Sequence, residues 1–300
     1  VPEQTSRTGS IAVRLVPLLA ALATFLTFLP ALRGGFLDWD DFQNFVINPS
    51  YRGFSWPNLR WMFTATHMGH YTPVSWLTLA LDYEIWGMNP YGYHLTNVVI
   101  HAMNAWLLCS VCMELLATWS RGIATPTEPA PLPRGRWVRG AGGAAPSNGW
   151  ALAISALFGA LFWSLHPMRV ESVAWITERR DVLSGMFYLM TVLCYLRWAR
   201  CSLRPWLAAA LAAYVLSLLS KAIGVTLPLV LLIVDVYPLR RLPLDPRFWL
   251  SIESREKLLE KIAFLVPALI VAAYACLAVH STRPSNPLAD FSLWERLSRA

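Results

Sequence analysis

Charge is scarce in this chain. Only 14% of its residues are Asp, Glu, Lys or Arg, against about 25% in a typical soluble protein. That excludes an ordinary globule with a fully solvated surface. Lysine is nearly missing, with 3 residues beside 22 arginines. No long stretch alternates apolar and polar residues with period two, which excludes a transmembrane β-barrel. No glycine-rich phosphate loop is present, so no nucleotide cradle of that kind is expected. Cysteine is limited to five residues. Cys109 and Cys112 form a C-x-x-C, but inside an apolar run and without a second pair. Buried small hydrophobes are expected there, as at Cys194 and Cys276, rather than a zinc or redox site.

What is there is hydrocarbon. Hydrophobic residues make up 56% of the 300, and the mean hydropathy is +0.43. In lipid the backbone must satisfy its own hydrogen bonds, so long continuous apolar runs are read as helices. A span needs roughly 20 such residues. Runs at 11–32, 94–116, 150–165, 182–198, 205–219, 223–237 and 262–279 give about seven. The run 73–86 is too short to span and is expected to lie at the interface or to re-enter. The fold class expected is an all-α integral membrane bundle.

The formal net charge is +7. The basic residues fall in short blocks between apolar runs, which reads as topogenic charge and not as a nucleic-acid surface. With the N-terminus in the cytoplasm, Arg121, Arg134, Arg136 and Arg139 fall inside. So do Arg197, Arg200 and Arg204, and then Arg240 through Lys261. Residues 124–148 are rich in Pro, Gly, Ala and Arg and read as a disordered cytoplasmic insert. Residues 33–93 form a long aromatic first external loop, expected to be folded. Most of its tryptophans read as interfacial anchors.

Four constellations carry possible chemistry. Asp38, Asp40 and Asp41 stand just past the first span. Such carboxylates serve as a general base, hold a divalent cation, or cap a helix. The segment 166–181 faces the same side. It carries His166, Arg169, Glu171, Glu178, Arg179, Arg180 and Asp181. Arginines on an outer loop point either to phosphate binding or to internal ion pairs. Lys221 sits at an outer junction, where it can snorkel or meet an anion. His94, Asn97, His101 and Asn104 share one helix face, as interhelical hydrogen-bonding groups. His94 and His101 are two turns apart, ~10 Å by helix rise, too far for a simple metal pair. Asp235, near Arg240 and Arg241, reads as a structural ion pair.

Five motifs then occur in order: FLDWDDFQNFVIN at 36–48, GHYTPVSW at 69–76, GYHLTN at 92–97, HPMRVESVAWITERRD at 166–181 and SKAIGVTLP at 220–228. Together they resemble the membrane module of the transmembrane-and-tetratricopeptide-repeat O-mannosyltransferases and their bacterial relatives, within the GT-C glycosyltransferases. The similarity covers most of 11–300 apart from the insert. It implies a GT-C-like bundle that transfers a sugar, mannose or another hexose, from a polyprenyl-phosphate donor. The acceptor implied is a protein or glycan hydroxyl on the outer or lumenal face. Asp40 and Asp41 match the family's acidic motif. The donor phosphate would meet Arg169, Arg179, Arg180 and Lys221. Asp38, His70, His94, His101, His166, Glu171, Glu178 and Asp181 would be supporting polar groups. No obligatory cofactor is expected; a divalent cation at Asp40 and Asp41 remains open. The family's C-terminal repeats are missing, and with the start at Val1 this suggests a truncated chain. A bacterial cytoplasmic membrane is favoured, or the endoplasmic reticulum if eukaryotic. The rival readings are a transporter or flippase of lipid-linked sugars, and a non-catalytic anchor for a lost repeat domain.

Overall fold

The computed structural model describes residues 2–123, 149–249 and 251–282. The insert 124–148 lies outside the described residues. Among the described residues ten α-helices follow in order: α1 (Pro2–Phe28), α2 (Trp56–Thr64), α3 (Pro73–Trp86), α4 (Pro90–Ile123), α5 (Gly149–Ser164), α6 (Arg169–Ala174), α7 (Arg179–Cys201), α8 (Arg204–Ser220), α9 (Leu227–Val236) and α10 (Ile252–Thr282). No β-strand occurs among the described residues; His67 and His70 form an isolated bridge. Prolines open many of the helices, as at Pro57, Pro73, Pro205 and Pro228. The missing N–H is harmless in a first turn.

All seven expected apolar runs are helical. Four stretches are long and apolar enough to cross a membrane: Val13–Arg33, Pro90–Ser120, Ile176–Cys201 and Ser254–Ala278. Gly149–Ser164, Arg204–Ser220 and Ala222–Val236 are apolar but shorter. This is an all-helical membrane protein. The run at 73–86 is the 14-residue helix α3, whose Val74, Trp76, Leu79 and Asp82 are buried.

The helices pack through small residues. Ala153, Ala156 and Ala160 of α5 are buried against Ala20 of α1 and Ala105 and Cys109 of α4. Side chains this small let backbones approach closely, the main source of packing energy where lipid is as apolar as the core. The opposite face of α5 exposes Phe158 and Phe162, as a lipid-facing helix does. A larger core joins α7, α8, α9 and α10 through Tyr195, Tyr214, Leu227 and Phe264.

The polar face of α4 turns inward. Asn97 Nδ2 donates to the Val173 carbonyl (3.1 Å) and Asn104 Nδ2 to that of Val182 (2.8 Å). His101 Nε2 bonds the Ser164 carbonyl at 2.9 Å. These bonds tie α4 to α5, α7 and the segment before α7. At the far end of α7, Asp235 pairs with Arg241 (3.0 Å) and Lys261 and accepts from the Tyr195 hydroxyl (2.7 Å). Arg241 also holds Glu260 at 2.9 Å. The expected Asp235 ion pair is thus formed with Arg241 and Lys261.

The segment 33–93 is folded around its own aromatic core. Phe45, Tyr51, Met62, Trp76 and Tyr93 are buried together with Ile176. Trp76 is therefore a core residue, whereas Trp39 and Trp56 are 74% and 77% exposed.

Candidate active site

Residues 36–48 and 175–181 are locked together by one carboxylate. Asp41 Oδ1 accepts from the Thr177 amide (3.0 Å) and the Thr177 hydroxyl (2.6 Å). Its Oδ2 accepts from the Leu37 amide at 3.0 Å. Asn44 Nδ2 donates to Thr177 Oγ1 at 3.1 Å. Asp41 is fully buried, and charge-assisted bonds of this kind are among the stronger ones. A short π-helical turn, Phe42–Val46, follows it. Asp38 is exposed.

Asp40, the next residue, is half-buried and faces a cavity of about 180 Å³. The wall also includes Asn44, His67, His70, Thr72, Thr177 and Arg180. Arg180 Nε and Nη2 donate to Glu178 Oε1 at 3.1 and 2.6 Å. Lys221 Nζ reaches the other oxygen of Glu178 at 2.8 Å and also pairs with Asp181. Asp181 accepts from Ser172 at 3.0 Å. Two cations and two carboxylates thus form a quartet beside the aspartate.

His70 stands at the rim. Burial lowers its pKa, and the charges of Arg180 and Lys221 lower it further, against Glu178 and Asp40. His67 is likewise lowered by burial. Both imidazoles are therefore neutral at pH 7, able to accept a hydrogen bond.

The four cations proposed for a phosphate are not brought together. Arg180 lines the cavity, and Lys221 is joined to it through the shared Glu178 carboxylate. Arg169 instead stacks on Trp163, 5.0 Å from its ring centre. Arg179 is completely buried and turned the other way. Its Nη2 pairs with Asp82 at 2.6 Å and donates to the Tyr93 carbonyl at 2.8 Å, and its Nε meets Asn97. This pair joins α3, α4 and α7 and supports the wall from behind. Among the supporting groups, Glu178 and Asp181 belong to the quartet. His101 is a packing residue, His166 is exposed and its Nδ1 accepts from the Met168 amide (3.2 Å), and His94 and Glu171 line a different cavity. Among the described residues no group of three or more His, Cys, Asp or Glu side chains is placed to hold a metal ion.

Sequence reasoning missed Asp82, Asn44, Thr72 and Thr177. Asp82 left a signal, a carboxylate inside the apolar run 73–86, which in a membrane helix calls for a cationic partner. Thr177 left none.

No protein-family profile matches the chain, and no solved structure is similar to it. Several curated proteins are. The human "Protein O-mannosyl-transferase TMTC2" is 30% identical over 192 residues, covering 61% of this chain and 19% of that protein. The Xenopus laevis tmtc2 protein is 28% identical over 195 residues, 62% of this chain and 19% of its own length. The Drosophila melanogaster Tmtc2 protein aligns over 298 residues at 28% identity, 91% of this chain and 27% of that protein. These relatives are animal proteins and lend no support to a bacterial membrane. The chain spans about a fifth to a quarter of the length of these relatives. Over as much as 91% of its own length, this membrane-embedded helical chain resembles the protein O-mannosyl-transferases of the TMTC kind.

Proposed function

We propose that this chain transfers mannose or a related hexose from a polyprenyl-phosphate carrier to a Ser or Thr hydroxyl of a protein, on the outer or lumenal side of the membrane. The observation that carries this reading is the placement of Asp40 and Arg180 in one cavity, from segments about 140 residues apart, with Lys221 behind Arg180. The names of the relatives supply the acceptor class and the sugar.

In the proposed reaction the acceptor oxygen attacks the anomeric carbon while Asp40 takes its proton. The new carbon–oxygen bond forms as the bond from the sugar to the phosphate oxygen breaks. The electron pair leaves with the polyprenyl phosphate. Arg180 and Lys221 are the charges that stabilise it. One displacement inverts the anomeric configuration. Arg179 serves the site from behind through Asp82 and makes no phosphate contact in this scheme.

The test is Asp40→Asn in the full-length protein, assayed with a polyprenyl-phosphate mannose donor. Loss of a general base lowers turnover by roughly 10²–10⁴-fold, with donor affinity little changed. Full transfer activity in this variant overturns the reading. Arg180→Ala and Lys221→Ala should instead weaken donor binding.

A further inference from the structure

Helix α3 begins without a side-chain cap. Thr72 holds the N-cap position, where a threonine hydroxyl normally accepts from an amide of the first turn. Here it makes no capping bond. Thr72 is 7% exposed, and its hydroxyl has no protein partner among the described residues, yet that oxygen is not sealed from solvent. Thr72 lines the cavity that Asp40 and Arg180 share, so its hydroxyl is open to that space.

Asn44 repeats the pattern. It is also 7% exposed and lines the same cavity. Its Nδ2 is committed to Thr177, while its Oδ1 takes no protein donor and is not sealed off either. The backbone leading to Thr72 is held by a tight turn. His67 and His70 exchange backbone bonds of 3.0 and 2.9 Å, with Met68 and Gly69 at φ +50° and +79° between them. A non-glycine residue in that left-handed region is uncommon. The turn brings His70 into the same wall, to which Phe45, Trp76 and Leu79 add apolar surface.

We propose that this cavity seats the sugar of the donor, and that Thr72 and Asn44 determine its specificity, each bonding one hydroxyl of the hexose. The inference rests on the transfer reading above and deepens it. The open groups are mixed. Asn44 Oδ1 and Asp40 accept, whereas the Thr72 hydroxyl and a neutral imidazole both donate and accept. A sugar hydroxyl likewise does both, so it can meet every one of them. A phosphate offers acceptors alone, and it would face the Asn44 oxygen and the Asp40 carboxylate unfavourably. An apolar side chain would leave these polar atoms unmet, at a cost. The C–H edges of a hexose suit the apolar part of the wall, where a few placed polar groups then fix orientation. Arg180, in the same wall, takes the phosphate that carries the sugar.

The test measures donor binding by the full-length protein in lipid nanodiscs without acceptor, so that nothing is transferred. The ligands are a polyprenyl-phosphate mannose, its deoxy forms lacking one hydroxyl each, and the bare polyprenyl phosphate. The parent protein should bind the mannosyl carrier at least about tenfold more tightly than the bare one. It should lose about tenfold for at least one deoxy form, roughly the worth of one hydrogen bond. Thr72→Val keeps the shape and removes the hydroxyl. It should weaken the mannosyl carrier to the level of one deoxy form and leave that form unchanged. The unfolding temperature should stay in place, because no protein hydrogen bond is lost, and Thr72→Ser should restore binding. Asn44→Ala should flatten discrimination at a different hydroxyl. The proposal falls if the parent protein binds all deoxy forms alike, or the bare carrier as tightly, a result that needs no variant. It also falls if Thr72→Val and Asn44→Ala weaken every ligand, bare carrier included, by one factor, or weaken none. Full transfer by Asp40→Asn overturns the catalytic reading and leaves these affinities standing, so the two failures are distinct.

Discussion

Both carboxylate oxygens of Asp41 are engaged, by Thr177 and by the Leu37 amide, while Asp40 faces open space. Asp41→Asn should therefore reduce activity only in part. It leaves a buried donor that now bonds Asp41 without an acceptor and should cost about 1–3 kcal/mol of stability, read from thermal unfolding. A carboxylate committed to three donors is a poor ligand for a cation, so a chelator should leave transfer unchanged; silencing by the chelator would show that the pair holds a metal. His70 offers an independent check on the cluster. Its NMR titration should fall below the usual histidine value of about 6.5. Asp40→Asn should lower it further, and Lys221→Ala should raise it, because those charges act in opposite directions. The sign for folding follows. Above about pH 6.5 the ring is neutral folded and unfolded; below it the unfolded chain takes the proton first, and stability falls until the lowered folded pKa is passed. The sequence made the acidic motif visible but not the division of labour within it. Adjacent aspartates are alike until Thr177, 136 residues away, selects one of them.

At the scale of the helices, Arg179 and Arg180 show the same limit. They are neighbours at the start of α7, where a helix turns by about 100° per residue, and they face opposite ways. Which one looks outward depends on the phase of α7 against α3, and no local pattern reports it. The stripe on α4 was legible because its spacing alone defines a face, and Asn97, His101 and Asn104 all use it. Asp82 was the quiet partner. Removing one member of a buried ion pair leaves the other uncompensated and typically costs 3–5 kcal/mol. Asp82→Ala should thus destabilise the bundle by about that amount, measured by thermal unfolding in detergent. Activity per folded molecule should fall too, since Arg179 lies immediately before Arg180. An Asp82→Ala protein as stable as the parent would show that α3, α4 and α7 are held by packing alone.

For the whole molecule, the described helices present two polar ends. One gathers the first loop, 166–181 and Lys221; the other gathers Glu114, Arg200, Asp235, Arg241 and Lys261. Cysteines introduced at Ser55 and Ser172 should react with an impermeant reagent from one side of sealed vesicles, and one at Ser202 only from the other. Labelling of Ser55 and Ser202 from the same side would break the topology. That the apolar runs are helices was readable because apolar length is a one-dimensional property; which helices cross the bilayer depends on their depth and tilt, which composition does not encode. The ion pairs hold a further consequence. Arg179 balances Asp82; Arg180 and Lys221 balance Glu178 and Asp181; Arg241 and Lys261 balance Asp235 and Glu260. With each group ionised, every one of these clusters is electrically neutral. A voltage across the bilayer acts on net charge, with about 2.3 kcal/mol per elementary charge at 100 mV. Flexing of this bundle therefore moves almost no gating charge, and in proteoliposomes an imposed potassium diffusion potential should leave the rate of sugar transfer where it was.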